Sequence, residues 1–258
     1  MRKLLLALFA LTGVASSLPA VAQDAPRPVI VLVHGAFAGS SSWAGVIARL
    51  EKSGYRVIAA ANGLRSVKED AAPIAALVHS IQGPVVLVGH SYGGPVITAA
   101  AEGNGNVKAL VYVSAFAPDV GENALGLSGQ FPGSTLGDTL TSVPLPNGGE
   151  DLYVESSKFH QQFAGDVSDA TAAVMAATQR PVTKAALSEP TTTATWKTIP
   201  NYAIYGTADK NIPPAAMKFM AERSHAKKTV VVPGASHSIM VSHPAEVESL
   251  IEAAATAR

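Results

Sequence analysis

The chain has 258 residues, with 19 basic and 19 acidic side chains, 48% apolar content and no cysteine. That length can bury a sizeable core in one large domain or two small ones, and a balanced charge with no basic block argues against a phosphate-rich partner such as nucleic acid. The lack of cysteine excludes disulfides, thiolate catalysis, cysteine-based zinc sites and a lipoprotein anchor.

Arg2 and Lys3, the apolar run Leu4 to Val14 and then Ala20, Val21 and Ala22 have the three parts of a secretory signal peptide. The run is too short for the roughly 20 residues of a membrane-spanning helix. Cleavage near Ala22 is therefore expected, removing residues 1–22 and leaving a periplasmic or secreted protein with no membrane span. Loss of Arg2 and Lys3 takes the 19 basic residues to 17 against 19 acidic ones, so the mature chain carries a small negative charge.

Short β-branched apolar runs follow at Val29 to Val33, Val57 to Ala60, Val85 to Val88, Val107 to Val113, Ile199 to Tyr205 and Thr229 to Val232. Runs this continuously apolar predict strands covered on both faces, hence a parallel sheet. Helical patterns alternate with them: Trp43 to Lys52, a helix after Ser66 with Glu69 completing a capping box, Pro95 to Glu102, Ala215 to Arg223 and Ala245 to Ala255. The alternation predicts an α/β fold with a doubly wound, mostly parallel sheet of about six strands and helices on both faces. From Ala117 to about Lys197 the rhythm stops. A Gly/Pro/Ser-rich first half precedes helix-like pieces around Tyr153 to Phe163, Ser168 to Thr178 and Val182 to Leu187. Eighty residues exceed an ordinary connection, so residues 117–197 are expected to form a cap inserted into a core of 23–116 and 198–258.

The stretch VVLVGHSYGG, Val85 to Gly94, puts Ser91 between Gly89 and Gly93 directly after a buried strand. A sharp strand-to-helix turn strains the residue at its tip and leaves no room for Cβ atoms two positions away, which is the logic of G-x-S-x-G. Such a turn exposes the Ser91 hydroxyl and sets the Tyr92 N–H at a helix N-terminus, where negative charge is favoured. A serine nucleophile needs a base, and the base needs an acid to hold its tautomer. His237 in PGASHSIM and Asp209 in YGTADKNIPP both follow strands and keep the order Ser, Asp, His. Asp119 is the competing acid. A second oxyanion N–H is expected from VLVHGAFAG, where Gly35 turns the chain so that Ala36, or alternatively Phe37, aims its N–H at the reacting oxygen. His34 and His90 read as structural. Phe37, Tyr92, Phe131, Tyr153, Phe159, Phe163 and Met240 are candidate substrate-pocket walls, and their low polarity predicts a small to medium apolar substrate.

HGAFAGSSSW, GHSYGG, GTADKNIPP and GASHSIM together resemble the α/β-hydrolase superfamily across nearly the whole chain after residue 22. The start on Val29 to Val33, the APD after the fourth apolar run and the segment KFHQQFAGDVSDATAAVMAATQRPVT are similar to its compact branch of plant methyl-ester esterases, hydroxynitrile lyases and pyrethroid-hydrolase-like bacterial esterases. The lyases of that branch carry Thr where this chain has Gly35, and Lys where it has Ser238, so the resemblance implies ester hydrolysis without cofactor or metal. Lactone hydrolysis, perhydrolysis and low-turnover ligand sensing are the alternatives compatible with the same residues. The sequence leaves the oligomeric state unknown.

Overall fold

The computed structural model describes residues 26–146 and 148–257; the signal-peptide expectation lies outside them. The chain runs β1 (Val29–Val33), α1 (Ala44–Lys52), β2 (Val57–Ala60), α2 (Val67–Ser80), β3 (Val85–His90), α3 (Gly93–Ala100) and β4 (Val107–Val113). After α4 (Ala124–Gly129), β5 (Leu140–Pro144), β6 (Glu150–Val154), α5 (Ser156–Phe163), α6 (Asp169–Thr178), β7 (Val182–Thr183) and α7 (Lys184–Ser188), it returns through β8 (Asn201–Gly206), α8 (Pro214–Arg223), β9 (Lys228–Val232), α9 (Ile239–Ser242) and α10 (Pro244–Thr256).

Six strands form one parallel sheet in the order β2-β1-β3-β4-β8-β9. Alternate residues of each strand feed opposite layers. Val31, Val33, Leu87 and Leu110 pack with α2, α3 and α8, while Ile30, Leu32, Val88 and Val111 pack with α1 and α10. Both faces of the central strands are thus covered, which is why these runs are nearly all apolar; Lys108 of β4 is exposed, as is most of the edge strand β9, and each fully buried Val, Leu or Ile contributes about 1.5–3 kcal/mol. The predicted α/β architecture is the one observed, with strand ends moved by one or two residues.

The order also fixes the site. The chain leaves β1 for β2 on one side and comes back to β3 on the other, so the carboxyl ends of β1 and β3 are the switch point where such sheets collect ligands. Val33 lies level with Gly89 across that seam. Among the described residues, no helix is long and apolar enough to cross a membrane.

Residues 117–197 are not simply loops and helices. They contain a second, antiparallel sheet in the order β5-β6-β7, and the expected helix around Tyr153 begins only at Ser156, because Glu150–Val154 is strand β6. The cause is local: Gly148 and Gly149 take φ of 81° and 90°, closing a hairpin between β5 and β6 that reads in sequence as another Gly/Pro-rich loop. The segment is fastened to the core by polar contacts. Arg65 bonds Asp151 at 2.6 Å and the Pro181 carbonyl at 2.9 Å, Arg223 grips both oxygens of Glu122 at 2.6 and 2.7 Å, and the Glu189 carboxylate accepts from the first N–H of α2.

Candidate active site

Ser91 sits between β3 and α3 with φ of 53°, a left-handed conformation that costs a non-glycine residue about 1–3 kcal/mol. The surroundings tolerate nothing larger at the neighbouring glycines. A Cβ on Gly89 would lie 2.5 Å from the Gly93 carbonyl oxygen, and one on Gly93 2.5 Å from that of Val33. The strained turn is held by the sheet and by the Phe116 N–H, which donates to the Ser91 carbonyl at 3.3 Å.

The two strands that end beside each other at the far side of β4 bring in the other two groups. Gly206 of β8 is level with Val232 of β9, and a Cβ on Gly206 would fall 2.0 Å from the Ala235 carbonyl oxygen, so the two following loops pack backbone to backbone. His237 Nδ1 donates to Asp209 Oδ2 at 2.7 Å, with both side chains almost wholly buried. Asp209 Oδ1 accepts the N–H groups of Asn211 at 2.8 Å and Ile212 at 3.0 Å. An ionised carboxylate only accepts, so it sets the proton on Nδ1 and leaves His237 Nε2 as the basic nitrogen. Phe163 packs edge-on against the His237 ring with centroids 5.0 Å apart. The residues flanking His237 are tied to residues 117–197, Ser236 to the Asp166 carboxylate and Ser238 Oγ to the Phe163 carbonyl at 2.9 Å. Among the described residues no hydrogen bond joins Ser91 to His237, but both line one small cavity of about 40 Å³.

The loop after β1 closes that cavity. A Cβ on Gly35 would approach both the His90 carbonyl oxygen and Ser91 Cβ to 2.6 Å, so the loop lies directly on the elbow. The Phe37 N–H donates to the Arg180 carbonyl at 2.9 Å and is consumed there. Ala36 lines the cavity, and no acceptor among the described residues takes up its N–H or that of Tyr92. Of the two candidates left open, Ala36 is the one with a donor to offer.

His34 and His90 are held by backbone. His34 Nε2 accepts the Asn62 N–H at 3.2 Å, leaving Nδ1–H for the Gly35 carbonyl at 3.0 Å. His90 Nε2 meets the His237 carbonyl at 3.1 Å. Burial is the first cause that pushes both imidazoles below their ordinary value of 6.5, His90 far below it, with the nearby His237 ring adding to the effect there. Depressed folded values mean that the unfolded chain binds these protons more readily, so the stability they contribute is complete above about pH 6.5 and is lost as pH falls through it toward their folded values. The midpoint of thermal unfolding is accordingly expected to drop between pH 7 and pH 5, and to drop less steeply in His90→Gln.

Phe37 and Phe163 line the cavity, together with residues the sequence did not single out: Phe116, Leu125, Leu136, Leu187 and Asn211. The other proposed walls lie elsewhere. Tyr92 is fully buried with its hydroxyl donating to Asp70 Oδ2 at 2.9 Å, away from the cavity, so this residue offers the site only its N–H. Phe131 stacks on Phe219 at 5.4 Å, Tyr153 belongs to strand β6, Phe159 is buried against Phe163 at 5.0 Å, and Met240 is buried in the opposite layer with α1 and α10. Aromatic content alone could not separate the core of residues 117–197 from the lining. Asp119 pairs with Lys197 at 2.5 Å on the surface, whereas His237 Nδ1 is taken by Asp209.

The geometry accords with a family match: residues 30–250 fit the alpha/beta hydrolase family. The chain belongs to that family. Similar solved structures include polyneuridine aldehyde esterase (22% identity, TM-score 0.77, covering 88% of this chain and 99% of that one). A pyrethroid hydrolase from Sphingobium faniae has 22% identity and a TM-score of 0.70, covering 89% and 98%, and a methylesterase from Arabidopsis 16% and 0.72, covering 88% and 98%. No curated protein matches the sequence. At these identities the likeness is one of fold, spread over nearly the whole of each chain.

Proposed function

We propose that this alpha/beta hydrolase is a serine carboxylic-ester hydrolase for small apolar esters, exported through residues 1–22. The observation that carries the reading is the buried His237–Asp209 pair at 2.7 Å opening on the same cavity as the strained Ser91. In this reading Ser91 Oγ adds to the ester carbonyl carbon while its proton passes to His237 Nε2. The oxyanion is met by the N–H groups of Ala36 and Tyr92. Collapse expels the alcohol, which takes the proton from His237; water then adds to the acyl-enzyme, giving its proton to His237, and the acid leaves as Ser91 is regenerated. Asp209 orients the imidazole and stabilises its protonated form.

Size selectivity follows from the cavity. About 40 Å³ holds only a few heavy atoms, and Phe37 stands between it and an outer apolar groove of about 520 Å³ bounded by Gly39, Ser42, Val174 and Met175. Across p-nitrophenyl esters from acetate to decanoate, kcat/KM is therefore expected to be highest for the shortest acyl chains and to fall as the chain lengthens. A flat or rising profile contradicts the confined acyl site, and no turnover on any ester contradicts the esterase reading and favours lactones or perhydrolysis.

A further inference from the structure

Asn211 is 3% exposed, lies two residues beyond Asp209 and forms part of the wall shared by Ser91 and His237. Its own N–H is spent on Asp209 Oδ1, and its carbonyl accepts from Ser134 Oγ at 2.9 Å and Ser128 Oγ at 3.4 Å. The side-chain amide is oriented by its neighbours. Gln162 Nε2 donates to the Lys210 carbonyl at 2.9 Å, an atom that only accepts, so the same nitrogen must face Asn211. Gln162 Oε1 is in turn taken by the Thr135 hydroxyl at 2.8 Å. Asn211 must then present Oδ1 to Gln162, at 2.8 Å, and its planar amide turns Nδ2 to the other side. There Nδ2 is buried with no acceptor among the described residues. A buried donor without a partner is costly, and in a native structure each such group calls for a specific explanation.

We propose that Asn211 is a specificity residue whose Nδ2–H donates to a second oxygen acceptor of the substrate, so that the preferred esters carry an ether, hydroxyl or carbonyl oxygen near the scissile group. The inference rests on the esterase reading above and narrows its substrate class. A site built around a donor discriminates against the analogue that cannot accept from it, because binding that analogue leaves the donor unpaired.

The test compares isosteric pairs differing only by oxygen for methylene: methyl methoxyacetate with methyl butanoate, and 2-methoxyethyl acetate with butyl acetate. In at least one pair, the ratio of kcat/KM for the ether ester over its isostere is expected to be roughly 10- to 100-fold higher in the wild type than in Asn211→Leu. Comparison with the variant cancels intrinsic reactivity, and a merely structural loss scales both members of a pair alike. Equal ratios in the two proteins, with hydrolysis intact, overturn the inference while the esterase reading stands. Independently of turnover, the Asn211 side-chain amide resonance of Ser91→Ala is expected to shift when either ether ester is added and to stay put with its isostere. If no ester is hydrolysed, the esterase reading fails and this resonance alone decides: no selective shift overturns the inference.

Discussion

Ser91→Ala is expected to lower kcat on short esters by roughly 10⁵- to 10⁶-fold, because removing the nucleophile leaves only the oxyanion donors and binding to act on the substrate. The Cβ remains, so the elbow keeps its shape. Its φ of 53° is imposed by the sheet, by the packing of Gly89 and Gly93 against neighbouring carbonyls and by the Phe116 N–H, not by the hydroxyl. KM and the thermal midpoint should therefore stay close to those of the wild type, and steady-state kinetics alongside a melting curve separates lost chemistry from lost fold. A variant that keeps even a tenth of the activity places the chemistry elsewhere.

The second large effect is expected at Asp209. In Asp209→Asn the backbone N–H groups of Asn211 and Ile212 still require an acceptor at the position of Oδ1, 2.8 and 3.0 Å away. They hold the amide oxygen there and turn the NH₂ group toward His237 Nδ1. That nitrogen must then accept, the proton moves to Nε2, and the imidazole presents a donor where Ser91 needs a base. The expected loss is about 10⁴-fold in kcat, the size seen when a triad acid is replaced by its amide and the wrong tautomer is fixed. Asp119→Asn, which loosens the surface pair with Lys197 and touches only the neighbouring Val120 N–H besides, is the matching control and should leave kcat within about twofold. Equal losses in the two variants would contradict the assignment of the acid.

The readable parts of the sequence were those in which one physical demand fixes the residue. Strands buried on both faces must be almost entirely apolar, so β1, β3 and, past the exposed Lys108, β4 stand out along the chain. The elbow announces itself because Gly89 and Gly93 sit where a Cβ would strike backbone. Residues 117–197 were harder. β5 and β6 are short, and β5 is largely exposed, so neither carries the apolar run that marks a buried strand. The wall residues were harder still: Phe159 and Phe163 lie four apart on α5 and are equally buried, yet only Phe163 reaches the cavity. Asn211 escaped because one amide beside an acid has no sequence signature; its meaning lies in the direction imposed by Gln162 and Lys210.

The most direct test of a nucleophilic Ser91 is covalent capture. Treated with diisopropyl fluorophosphate, the protein is predicted to gain one diisopropylphosphoryl adduct by intact mass, located on the peptide containing Ser91, with complete loss of esterase activity and no adduct in Ser91→Ala. Full activity without an adduct, or the same adduct in the Ser91→Ala protein, would contradict the account.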